Sequence, residues 1–290
     1  MLGASFPRIQ TVTGAVPASE VTGPILPHEH LRTDTRWGIG VPSDPHRWLD
    51  EERYVVAEIR DLGLEHGLGL VVEHTCLGMG RDPAALVRIS SACRVPVVAA
   101  TGFAPEPFSA ELIRPCGLDD LTAGLLREIG AGFDGSGVRP GLIVASCWGE
   151  APTKAEERAI LAAARAARRS GLPVVAHGME PLELLLSHGV PPHRLCGVAA
   201  DVPAQRKIAE TGAYVSVREA EHVLALLEAG HGERVLLSSG VSRRDHLAGY
   251  GGHGYGRLFD TLIPALGDAG VGEGTIRLIT RENPVRWLAG

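Results

Sequence analysis

No apolar run in the chain approaches the roughly 18 residues that a membrane-spanning helix needs, which leaves no candidate span to assign. Cysteine is scarce and badly placed for cross-links. Cys76, Cys93, Cys116, Cys147 and Cys196 are odd in number, widely scattered and contain no Cys-x-x-Cys pair, which argues against both a disulfide framework and a structural zinc knot. Lysine occurs only at Lys154 and Lys207, and a net charge of −6 without a basic cluster excludes nucleic acid or an anionic membrane as an expected partner. The start, Met1-Leu2-Gly3-Ala4-Ser5-Phe6-Pro7-Arg8, lacks the basic opening and apolar core of a secretory leader. These absences together make a cytoplasmic protein the expectation.

What is present is repetition. The chain has 290 residues, of which 44% are hydrophobic and 21% charged, proportions ordinary for a soluble enzyme with a large core. Residues 8 to 22 alternate apolar and polar around Gly14-Ala15 and predict a small hairpin. From Gly23 onward, eight strand-length apolar runs alternate with stretches of helical period. They are 23–30, 68–75, 95–102, 141–146, 172–177, 194–199, 213–217 and 234–239. Between them, residues 46 to 66 predict one helix, Asp82-Pro83 opens another, and Thr153-Lys154-Ala155-Glu156 is a capping box for a third that runs through Arg169. Near-continuous apolar strands need cover on both faces, which a closed parallel barrel supplies. An open doubly wound sheet fits less well, because Met79-Gly80-Arg81 does not supply a Gly-x-Gly-x-x-Gly turn. The fold class expected is therefore α/β, a single (β/α)8 TIM barrel over residues 1–290 with the hairpin as its N-terminal cover.

In such a barrel the chemistry lies at the C-terminal ends of the strands. The first run ends in Pro27-His28-Glu29-His30, where two imidazoles at i and i+2 share a face and Glu29 turns away. His177 ends the fifth run, opposite that pair. Three imidazoles with an open position suit a zinc ion, so His28, His30 and His177 are the expected metal ligands. Glu73, His74 and Cys76 end the second run. Alternation keeps Glu73 and His74 from both facing the barrel mouth, and His74 is the one expected there, because an imidazole buried under the helices would need a partner.

The sequence resembles the phosphotriesterase-like members of the amidohydrolase superfamily. The resemblance runs from about residue 10 to the end. It is carried by Thr11-Val12-Thr13-Gly14, Pro27-His28-Glu29-His30-Leu31, Gly78-Met79-Gly80-Arg81-Asp82, Ala100-Thr101-Gly102-Phe103, the stretch Ala162 to Gly171 leading to His177, Tyr250-Gly251-Gly252-His253-Gly254-Tyr255 and Glu282-Asn283-Pro284. It implies a (β/α)8 barrel, a metal centre in its mouth and hydrolysis of a phosphotriester, lactone, ester or amide. The family's two first-strand histidines match His28 and His30, and its fifth-strand histidine matches His177. Its metal-bridging fourth-strand residue, however, falls on Val144, its sixth-strand histidine on Ala199 and its eighth-strand aspartate on Gly240. None of the three side chains can bind a cation, so a binuclear centre is not expected. Asp201 matches an acidic position that follows the missing histidine.

The expectation is a hydrolase of a small ester, lactone or amide with at most one zinc ion at His28, His30 and His177. His74 or Cys76 is available to complete the set, His74 counts among the catalytic residues, and Glu73 or Asp201 is the general base. Two alternatives stand beside it: a metal-free acid/base enzyme (lyase, isomerase or cyclase) on the same scaffold, and a binding protein without catalysis. The only expected partner is a small-molecule substrate, with a homodimer left open.

Overall fold

The strands form where the apolar runs predict them, and their pairing follows chain order. The structure, a computed structural model, describes residues 7–290; residues 1–6, the stretch that lacks a secretory leader's pattern, lie outside the described residues. Eight strands, Ile25–Glu29, Leu70–Glu73, Val97–Gly102, Leu142–Ser146, Val174–His177, Leu195–Val198, Tyr214–Val217 and Val235–Leu237, stand side by side in that order. Each is parallel to its neighbour, as a barrel built from strand–helix repeats requires. Among the described residues no helix is long and apolar enough to cross a membrane.

Alternation along the strands sorts the core into two layers. Leu70, Val72, Val98, Ala100, Leu142, Val144, Val175, Cys196, Tyr214 and Leu236 pack together inside the barrel. Their neighbours Val71, Val97, Ala99, Ile143, Val174, Leu195, Val215 and Val235 pack outward against the helices. The third predicted helix spans Lys154–Ser170, with Thr153 Oγ1 accepting from Glu156 N and the Glu156 carboxylate accepting from Thr153 N. Asp82 caps Pro83–Cys93 by accepting from Ala85 N at 2.9 Å.

Two local expectations are corrected. The hairpin is confined to Arg8–Thr11 and Gly14–Pro17, and Ala18–Glu20 is a turn of 3-10 helix. The helix expected from residue 46 begins only at Glu52, because Trp48–Leu49 pairs antiparallel with Thr33–Asp34 and holds the preceding loop against the barrel mouth.

Where the first and eighth strands meet, side chains join the seam. Glu29 is fully buried, and its Oε1 accepts from Ser238 Oγ at 2.7 Å, Ser239 N at 2.8 Å and Gly240 N at 2.9 Å, while Oε2 accepts from Val241 N at 2.5 Å. Burial pushes the Glu29 pKa up and these hydrogen bonds pull it down. Ser238 Oγ also accepts from His28 N at 3.0 Å, and His30 N donates to Val241 O at 2.8 Å. Glu29 thus turns away from the mouth, as alternation predicts, and stitches the barrel shut directly beneath it.

Candidate active site

A register shift between Leu26 and Glu29 breaks the alternation of the first strand, so that Ile25 and then His28 both face inward. On the second strand alternation is undisturbed, and His74 follows Leu70 and Val72 to the interior. On the fifth, His177 follows Val175. The result is one group: ligand-capable atoms of His28, His74 and His177 all lie within 4.8 Å of one another. The rings of His28 and His74 are stacked with centroids 3.9 Å apart, and His177 stands edge-on to His28 at 5.3 Å.

Hydrogen bonds fix which nitrogens are bare. His74 Nε2 is 2.9 Å from Pro27 O, a carbonyl that can only accept, so this nitrogen carries the proton and donates it. Nδ1 of His74 is then a lone-pair acceptor, and it is buried with no hydrogen-bond partner. Nδ1 of His28 is 2.9 Å from Ser216 Oγ, and its Nε2 is 3.5 Å from Nη2 of Arg218, a group that only donates. His28 Nε2 is therefore the bare nitrogen. Burial holds the pKa values of His28 and His74 well below the usual imidazole range, with smaller contributions from the neighbouring rings and Arg218. Burial, then Arg218 and His30, brings that of His177 down to about 3. All three imidazoles are neutral at pH 7, the protonation state a metal ligand needs.

His30 stands apart from this group. Its ring centroid is 6.4 Å from that of His28, and its Nδ1 is 2.8 Å from Thr75 Oγ1 and 3.6 Å from Glu73 Oε1. Glu73 is buried under the loop, accepting from Leu31 N and, at 2.6 Å, from Thr75 N. Of the expected ligands His28, His30 and His177, the structure brings His28 and His177 together with His74, and His30 stands alongside with Glu73. Asp201 is exposed and caps a helix, accepting from Ala204 N at 2.8 Å. Cys76 lies beside the site, but its thiol, 3.7 Å from Met79 Sδ, is pushed up to about 12 by burial and is no thiolate.

The group opens into a cavity of about 500 Å³. His30, His74 and His177 reach it from the barrel, Met79, Phe108, Val144 and Trp148 give it an apolar wall, and Arg47 and Arg243 lie at its edge. Among the described residues no carboxylate lines it.

Residues 7–288 of the chain match the model of the Phosphotriesterase family. The chain belongs to that family. It is 32% identical to the Phosphotriesterase homology protein of Escherichia coli, over 92% of this chain and 98% of that protein. The crystal structure of that homology protein, complexed with phosphate in its active site, superposes with a TM-score of 0.85 at 29% identity and covers 92% of this chain and 99% of the other. The N-acetyltaurine hydrolase of Homo sapiens is 25% identical, with 97% of both chains covered. Arg218, which carries no motif in the sequence, follows Tyr214 and Ser216 by alternation at the end of the seventh strand, and its Nη2 lies 3.5 Å from His28 Nε2.

Proposed function

We propose that this protein hydrolyses a small amide or ester of a carboxylic acid, with at most one metal ion held by His28, His74 and His177. The observation that carries this reading is His74 Nδ1, a buried lone pair without a partner, aimed at the group it forms with His28 and His177. Leaving a buried acceptor unpaired costs about 1–3 kcal/mol, a cost that a ligated cation removes. The second contacts agree: the Pro27 carbonyl fixes the His74 tautomer that leaves Nδ1 bare, and Ser216 Oγ accepts from His28 Nδ1 in the tautomer that leaves Nε2 bare, as partners of metal-bound imidazoles do. Zinc suits an all-imidazole set, and when bound it supplies Lewis acidity toward a carbonyl oxygen.

The chain's own groups supply the rest. His30 lines the cavity and is oriented through Nδ1 by Thr75 and Glu73, which leaves Nε2 to move a proton between the attacking water and the leaving group. Glu73 acts through His30 and does not reach the cavity itself. The apolar wall of Met79, Phe108, Val144 and Trp148 takes the acyl part and excludes water. The N-acetyltaurine hydrolases and the phosphate-bound relative support an amide or ester carrying an oxyanion. The five free cysteines agree with a reducing, cytoplasmic setting.

A second reading, metal-free acid/base chemistry, is favoured by one contact: Arg218 Nη2 approaches the same His28 Nε2 that a metal would use. Elemental analysis of protein purified without chelator separates the two. One zinc or similar ion per chain, lost in His74→Ala, together with hydrolysis of N-acyl amino acids or aryl esters, supports the hydrolase. Two ions per chain would overturn the assignment of Val144, Ala199 and Gly240 as losses, and none would favour the second reading.

A further inference from the structure

Arg218 lies where no carboxylate can pair with it. Among the described residues it takes part in no ion pair, and its one side-chain contact of hydrogen-bond length is the 3.5 Å approach of Nη2 to His28 Nε2. The two acidic groups whose charge it feels are committed elsewhere. Glu29 accepts four hydrogen bonds from residues 238–241, and Glu219 pairs with Arg257 at 2.7 Å. Arg47 and Arg243, which line the cavity, are compensated, Arg47 by Asp44 at 3.3 Å and Arg243 by Asp245 at 2.7 Å, whereas Arg218 does not line it and meets the site through His28. The stem of Arg218 occupies the space beside Gly240: a Cβ built there would overlap its Cδ and lie 3.2 Å from Nε. The Arg218 stem therefore fills the space that a side chain at position 240 would need, and it sets a fixed cation beside the histidines.

An uncompensated, largely desolvated guanidinium is costly unless something anionic meets it. We propose that Arg218 is the substrate-recognition residue of this site and holds an anionic oxygen group, a carboxylate, sulfonate or phosphate monoester, carried by the substrate. Its planar fork of donors matches such a group in two-pronged fashion, and none of the described residues lining the adjoining cavity is a carboxylate. The proposal deepens the hydrolase reading by naming the substrate's charge, and it is tested by binding alone, so loss of turnover and loss of anion recognition remain separate results.

The experiment is calorimetric titration of the purified protein, its metal content measured alongside, with methanesulfonate, with the neutral dimethyl sulfone of the same shape, and with inorganic phosphate. The parent should bind methanesulfonate and discriminate against dimethyl sulfone by roughly ten-fold or more. Arg218→Gln should abolish that discrimination, Arg218→Lys should keep part of it, and Arg243→Gln should leave it intact. Equal affinity of the parent for the two probes, or of Arg218→Gln and the parent for methanesulfonate, would overturn the proposal. So would phosphate binding through Arg218 without methanesulfonate binding, which would assign the site to a free inorganic anion. Should Arg218→Gln fail to fold, the parent's discrimination and its reduction in Arg218→Lys decide the matter by the same criteria.

Discussion

The imidazoles of His74 and His28 lie face to face, 3.9 Å apart and 14° from parallel, although they belong to neighbouring strands and Arg218 adds a positive charge beside them. Two protonated rings could not share that arrangement, so the folded state keeps them neutral, and burial keeps His177 neutral down to about pH 3. The unfolded chain takes up protons at these histidines below about pH 6.5. Because the unfolded state then binds more protons than the folded one, stability rises with pH through this window and falls on acidification. The loss is up to about 1.4 kcal/mol per pH unit for each neutral imidazole. Urea midpoints measured from pH 7.5 to 5 should fall steeply, and His74→Phe should reduce the slope by about one proton. A flat profile would show that the rings charge freely in the folded protein.

His74→Ala separates a site residue from a packing residue. The ring is 2% exposed and donates to Pro27 O, so its removal should cost about 1–3 kcal/mol, more than a mouth residue that packs little would. The folded fraction should nevertheless lose metal and activity altogether. A variant that melts early but keeps its activity per folded molecule would make His74 structural and return the chemistry to His28, His30 and His177.

The barrel was legible because its signal is collective. Eight apolar runs at regular spacing constrain one another, and an error of one or two residues in any of them leaves the topology unchanged. The site depends on single residues, whose facing follows alternation only where the strand is regular. On the second strand His74 lines the cavity and Glu73 does not. His28 and His30 share a face by the two-residue rule, yet the register shift before Glu29 and the pull of Thr75 on His30 carry the second ring away from the group. Asp201 shows the converse: an acidic residue just after a strand is as readily a helix cap as a base. Arg218 was within reach, two residues beyond Ser216, but an arginine at a strand end carries no motif, and its meaning rests on the empty place at Gly240 that only the packing reveals.

Glu29→Gln tests the seam. Every partner of the carboxylate is a donor, so an amide would keep one acceptor and set its NH2 against the amides of residues 239–241 or Ser238. Losing charge-assisted bonds and burying an unpaired donor should destabilise the protein by about 2–4 kcal/mol, with the eighth-strand end exchanging its amide hydrogens faster. Urea denaturation and hydrogen exchange check this, and a shift within about 0.5 kcal/mol would show that Glu29 is protonated in the native state.

Gly240 and Arg218 should couple in a double-mutant cycle. At φ +80° any side chain at position 240 is strained, and its Cβ also meets the Arg218 stem. Gly240→Ala in the parent carries both penalties, about 1–3 kcal/mol for the backbone plus the displacement of the guanidinium. In an Arg218→Ala background the second penalty vanishes and only the backbone strain remains. The coupling energy should therefore be at least about 1 kcal/mol, with the alanine better tolerated once Arg218 is gone. If the two changes instead add within about 0.3–0.5 kcal/mol, the side chains do not share that space.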